Sequence, residues 1–198
     1  MQGESDLYNG SEYLEYKGLK LGQHPYFIMD DWTDGTIQYG GEWYQNVGLL
    51  YDICRDKVVI EHYYNRSMME LVEAKIGRFS LLDHTFVRLN GDKKNNLNEG
   101  FYDLLYDGNT KVYAQRVKLM EKTIEDHRQV YYFAEKTKYY ILKDEVYYPV
   151  SNKASVLAVF EDRKREVKRL LAEKKIGFRQ DRETAIAWMA ESYDNSKR

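Results

Sequence analysis

The side chains in this sequence that could do chemistry are four histidines, one cysteine and 32 carboxylates. His24, His62, His84 and His127 stand far apart, with no H-x-H or H-E-x-x-H spacing to bring two imidazoles onto one metal ion. A hydrolytic metal site would have to be gathered from separate segments, for instance His62 or His84 with Asp30 or Asp31. Four unrelated strand or surface histidines is the simpler reading. Glu61 and His62 lie in an alternating stretch, so as strand neighbours they point to opposite faces and cannot act as a pair. Cys54 has Arg55 beside it, and a neighbouring cation favours the thiolate. Its place at the end of an apolar stretch suits a small hydrophobe better. No serine has a G-x-S-x-G context, and the glycines make neither a G-x-G-x-x-G nor a Walker loop. The expectation is no catalytic residue, no metal ligand set and no cofactor, and the balance is against an enzyme.

Two other features could carry binding. Arg163, Lys164, Arg165, Lys168, Arg169, Lys174 and Lys175 form a basic run that could face phosphates. Glu161, Asp162, Glu166 and Glu173 are interleaved with it, and Glu161 with Arg165 has the i,i+4 spacing of ordinary helix support. A solvated helix face follows, and no nucleic-acid partner. The aromatics are the stronger hint: Trp32, Tyr39, Trp43 and Tyr44 cluster around the Gly40-Gly41 hairpin signal. Exposed tyrosine and tryptophan offer contact area at low entropy cost, which makes these four the candidate ligand-binding residues. The bland alternative is that aromatics form strands and pack the sheet, Trp32 and Trp43 being the exceptions because turns flank them.

The elements that must position these residues read as strand, turn, strand from Pro25 onward. Tyr13 to Tyr16 resembles a short strand within an otherwise polar leader, residues 1–22. Strands are expected over 26–29, 36–39, 43–51, 57–63, 67–76, 86–89 and 101–106, with Asn90 to Gly100 the least structured stretch. Residues 111 to 124 read as a long bent strand after a hairpin turn, although Tyr113, Val117, Met120 and Ile124 also fit a helical stripe. Three short aromatic strands follow at 130–133, 139–142 and 146–150. The words Leu49-Leu50-Tyr51-Asp52 and Leu104-Leu105-Tyr106-Asp107 echo one another, each before a turn and Lys-Val. Ser151 or Asn152 can cap a helix bearing Val156, Phe160, Val167, Leu170 and Leu171 on one face. Gly177 breaks it, and Asp181 caps a second with the stripe Ile186, Met189 and Tyr193.

The fold expectation is α+β: a predominantly antiparallel, meandering sheet, curved or two-layered, over 23–150, followed by two C-terminal amphipathic helices, 151–198, packed on the same domain. Its 19 Tyr, 7 Phe and 3 Trp in 198 residues exclude a chain that cannot collapse. The net charge of -2 gives no global pull toward nucleic acid or anionic lipid. A single cysteine forms no intrachain disulfide, and no apolar run approaches the roughly 18 residues of a membrane span. The start Met1-Gln-Gly-Glu-Ser-Asp has neither a basic nor an apolar leader region. Taken literally that is cytoplasmic; as a mature form whose leader has been removed, the chain belongs to the periplasm or cell envelope.

In order along the chain come Gly35, Tyr39, Gly41 and Tyr44 in a Gly-x-x-x-Tyr-x-Gly-x-x-Tyr word, then Tyr51-Asp52. Gly-Phe-Tyr-x-x-Leu-Tyr-x-Gly at Gly100 to Gly108, Tyr-Tyr-Ile-x-Lys at Tyr139 to Lys143 and the final charged helix pair complete the series. The whole resembles a loosely defined group of uncharacterised, exported, tyrosine-rich bacterial proteins of unknown function. The resemblance covers nearly the full chain, implies a secreted or cell-envelope location, and brings no catalytic residues with it. The functional expectation is a non-enzymatic binding or scaffold module of the cell envelope. A metal-dependent hydrolase with scattered His and Asp, and a carrier of an apolar ligand held by a curved sheet, are the alternatives.

Overall fold

The computed structural model describes residues 7–196, so the polar start Met1–Asp6, on which the leader reading rests, lies outside the described residues. The chain forms two compact units. The first comprises the described residues up to Arg88 together with Arg116–Lys136, and the second comprises Leu89–Gln115 with the described residues from Thr137 onward.

In the first unit, β1 (Ser11–Glu12), β2 (Thr33–Tyr39), β3 (Glu42–Asp52), β4 (Lys57–Glu61), β5 (Met68–Glu70), β6 (Ile76–Leu81) and β7 (His84–Leu89) lie in the order β1-β5-β4-β3-β2-β6-β7. Their pairings are antiparallel. The second unit contains β8 (Gly100–Asp107) and β11 (Val146–Val150). β9 (Lys111–Glu125) and β10 (Arg128–Lys143) are long enough to contribute to both units. α1 (Lys153–Val159), α2 (Lys164–Glu173) and α3 (Arg182–Asn195) end the chain, so the α+β class with an antiparallel sheet and C-terminal helices holds.

Hairpin chemistry explains the meander. Gly40-Gly41, Leu82-Asp83, Asp126-His127 and Asp144-Glu145 are two-residue connections with positive φ at both positions. That backbone twist matches the right-handed twist of the strands it joins. Glycine supplies it freely at 40–41, whereas the other three turns adopt it with side chains attached.

Alternation then sorts the aromatics. In the first unit Phe27, Tyr51, Phe79 and Phe86 are buried and pack ring on ring, with centroids 4.8–5.1 Å apart. A smaller cluster of Tyr13, Tyr26, Leu50 and Val59 packs with Tyr16 and Met68. In the second unit Val112, Ile141 and Val150 meet Val156, Val167, Leu171, Ile186 and Met189 from the helices. Phe160 stacks on Tyr193 at 4.6 Å.

Several sequence expectations change. Tyr13 to Tyr16 is not a strand: the paired segment is the preceding Ser11–Glu12. Tyr13 and Tyr16 aim their hydroxyls at one carboxylate, which a period-2 strand would forbid. Residues 26–29 supply only a bridge, Tyr26 to Asp52, because Ile28 takes a left-handed φ of 60°. The expected strand over 67–76 is interrupted by a 3-10 turn, Glu73–Lys75, whose Lys75 N–H bonds Val72 O. The strand after it, Ile76–Leu81, carries too many polar residues to announce itself. The two short strands expected at 130–133 and 139–142 are one continuous β10, and 111–125 is strand throughout. The first C-terminal helix splits at Phe160 into α1, a 3-10 turn (Glu161–Arg163) and α2. Asn152 and Asp181 do cap their helices, accepting from Ser155 N and Thr184 N. The echoed words both end hairpin strands, but Asp52 is fully buried whereas Asp107 is exposed and pairs with Lys111.

Candidate functional site

Asp52, at the end of β3, is 0% exposed and is the hub of the first unit. Its Oδ2 accepts from the hydroxyls of Tyr13 (2.9 Å) and Tyr16 (3.0 Å). Its Oδ1 accepts from the backbone N–H groups of Cys54 (2.8 Å) and Arg55 (3.0 Å) at the start of the following turn. A buried carboxylate is tolerated when every lone-pair direction finds a donor, and here four donors converge. Burial first, then the negative charge of Asp52, drives the Tyr13 pKa far above the ordinary phenol range. Burial raises Tyr16 likewise, helped by its contact with Cys54 and the Asp52 charge. Both phenols therefore remain donors. Arg55 donates to Leu14 O at 2.6 Å and lies 3.9 Å from the centre of the Tyr16 ring.

A second buried ion holds the neighbouring loop. The Lys118 side chain on β9 is only 5% exposed, and its Nζ donates to Tyr26 O (2.7 Å) and His24 O (3.1 Å). It also pairs with the exposed Glu135 at 3.3 Å. Gln23 Oε1 accepts from Phe133 N, and Lys20 N bonds Tyr131 O, so residues 18–24 run along β10. Burial and then Lys118 lower the pKa of His24, with Asp30 and Glu135 opposing them, so its imidazole is neutral at neutral pH. The ring stacks on Tyr26.

Between these anchors lies a cleft of about 280 Å³. Its mouth carries Glu15, Asp30 and Trp32, its walls Tyr16, His24 and Tyr26, and its apolar lining includes Leu19, Leu50 and Met68. Trp32 is 38% exposed, a large ring left in contact with solvent beside the opening. An open hollow of about 390 Å³ sits elsewhere in the same unit, beside the Leu82-Asp83 turn, without aromatic lining.

The four aromatics singled out in the sequence do not gather. Trp32 lines the cleft just before β2, near Gly48. Trp43 is 54% exposed at the other end of the hairpin, paired with Gln38 beside the glycine turn. Tyr44 is half-buried and, as strand neighbour of Trp43, points to the opposite face. Tyr39 is 1% exposed and belongs to the core, its ring 5.6 Å from Lys75 Nζ. The histidines are likewise separate in their surroundings: His62 packs against Tyr8 and Tyr63, His84 meets Phe27 edge-on, and His127 occupies the β9–β10 turn. Among the described residues no three His, Cys, Asp or Glu side chains are placed to hold a metal ion. No described helix is long and apolar enough to cross a membrane. The basic run lies on an exposed face and is laced with pairs such as Lys164–Glu161 and Arg169–Glu173, both 2.9 Å.

Sequence reasoning passed over Asp52, Lys118 and Glu15. The phenol partners of Asp52 are 36 and 39 residues away and the carbonyl partners of Lys118 more than 90, so no local spacing marks those contacts; only the Cys54 and Arg55 amides that Asp52 also binds are local. The one available signal was Tyr13-x-x-Tyr16, two phenols at a spacing that suits a shared acceptor rather than a strand. No protein-family model matches the chain, and no curated protein or solved structure does either.

Proposed function

We propose that this protein is a non-enzymatic binding module that holds a small ligand in the cleft of its first unit. The observation that carries the reading is the expenditure of two buried ions, Asp52 and Lys118, on fixing the segment that forms the cleft wall. Buried charges stabilise a fold weakly at best compared with well-packed apolar groups, so their use here points to a geometry worth holding. A rigid cleft with an exposed tryptophan at its mouth suits recognition, because little ordering entropy is lost on binding. The carboxylates at the mouth favour a ligand with a polar end over a wholly apolar one. The resemblance of the glycine and tyrosine words to exported bacterial proteins supports a cell-envelope setting for this module.

Native mass spectrometry of protein purified from its own cells tests the reading. The expected result is a small-molecule adduct on the wild type that is lost from a folded Trp32→Ala variant. The reading is contradicted if the protein carries no adduct and acquires none from a small-molecule extract of the same cells.

A further inference from the structure

We infer that the cleft of the first unit takes a compact organic cation, an ammonium or guanidinium group on a short alkyl stem. The inference rests on the binding reading above and adds the chemical class of the ligand.

Charge is the first argument. The carboxylic side chains in the lining are Glu15 and Asp30, and no lysine or arginine joins them. Two cations that contact the lining segment are already committed. Lys118 Nζ is bound to the backbone carbonyls of His24 and Tyr26 and to Glu135. Arg55 is bound to Leu14 O and stacked on Tyr16. The lining therefore offers an entering anion two carboxylic side chains and no lysine or arginine, a set that suits a cation.

Aromatic faces are the second argument. Trp32, Tyr16 and Tyr26 line the same space; Tyr16 already carries Arg55 and Tyr26 is stacked with His24, so it is the exposed Trp32 whose negative ring face can attract a cation within about 6 Å. The protein already uses this contact at this place, with Arg55 on the Tyr16 ring. Neutral His24 adds no opposing charge.

Size and depth are the third. A volume of about 280 Å³ is at the small end of ligand sites, too small for an extended chain. Leu50 and Met68 offer apolar surface to a stem of a few methylenes, while the head stays with the carboxylates. A wholly apolar guest would instead strip water from Glu15 and Asp30 without replacing it.

The test is an ¹⁵N chemical-shift titration of the whole chain with n-butylammonium, n-butylguanidinium, n-butanol and butyrate at constant ionic strength. The expected result is that the two cations shift amides around residues 15–32 and bind about tenfold or more tighter than butanol or butyrate. Asp30→Asn and Glu15→Gln, both exposed positions outside the Asp52 hub, should each weaken the cations several-fold and leave butanol unchanged. Trp32→Ala should weaken them about three- to tenfold. Butanol or butyrate binding the cleft as tightly as the cations would overturn the cation assignment and leave the cleft as a binding site. No shift in the cleft with either cation would overturn the cation assignment, and the binding reading would then stand or fall on the native mass spectrum.

Discussion

The Tyr13 hydroxyl lies 2.9 Å from the buried carboxylate of Asp52, 39 residues further along the chain. That bond, with its Tyr16 counterpart, ties the segment before the first long hairpin to the end of β3. Replacing Asp52 with Ala leaves two phenols and two backbone N–H groups without their acceptor, and should cost about 3 kcal/mol. Asp52→Asn keeps one acceptor for the backbone N–H groups and should cost about half as much, and Tyr13→Phe about 1 kcal/mol. Urea denaturation followed by circular dichroism measures all three.

His24 makes part of this arrangement sensitive to pH. Its folded-state pKa is depressed, mainly by burial and then by Lys118, below the ordinary 6.5. A depressed group contributes stability that is fully present above its unfolded pKa and lost as pH falls through the folded one. Stability should therefore decline as pH drops below 6.5. In His24→Gln that part of the decline should vanish. Denaturant midpoints at pH 7.5 and at pH 5, compared between wild type and variant, give the answer.

In the second unit the β8–β9 turn is locked to α3 through Asp194, whose Oδ2 accepts from Thr110 N (2.9 Å) and the Tyr106 hydroxyl (3.1 Å). Gly108 sits against that contact: a methyl group there would stand 2.3 Å from the Tyr106 hydroxyl oxygen and 2.5 Å from Asp194 Oδ2. Gly108→Ala should therefore displace the bond and destabilise the protein by about 2 kcal/mol. Asp194→Ala should produce a similar loss. The double variant should lose less than the sum, because both changes break one contact.

The Leu82-Asp83 turn stores strain that can be released. Leu82 holds φ at 51° and Asp83 at 62°, a region that costs an L-residue about 1–2 kcal/mol. Changing the pair to Asn-Gly, the residues such a turn prefers, should raise stability by about 1 kcal/mol. Part of the gain is offset by losing the half-buried leucine side chain. A rise in melting temperature without a change in the circular dichroism spectrum checks this.

What the sequence disclosed follows from the range of the interactions involved. Asn152 and Asp181 were legible as caps because each bonds an amide three residues ahead. The glycine hairpin and the long β9 were legible for the same reason, as turn chemistry and patterning act locally. The break at Phe160 was not, because Phe160 is buried against Tyr193, a partner on another helix. The candidate site divides the same way. Trp32 stood out through its flanking turn, and it does line the cleft. Tyr39 looked equivalent, yet strand alternation sends it inward beside Gln38, and no local word distinguishes the two outcomes. Asp52 read as one carboxylate among 32 until the fold brought Tyr13 and Tyr16 to it.

Intermolecular nuclear Overhauser effects from bound n-butylammonium are the sharpest check on the cation site in the cleft. A cation held there gives contacts from the methylene next to nitrogen to the Trp32 ring, and from the terminal methyl to Leu50 and Met68. Contacts confined to Trp43, Tyr63 or Tyr64, all exposed outside the cleft, would contradict it.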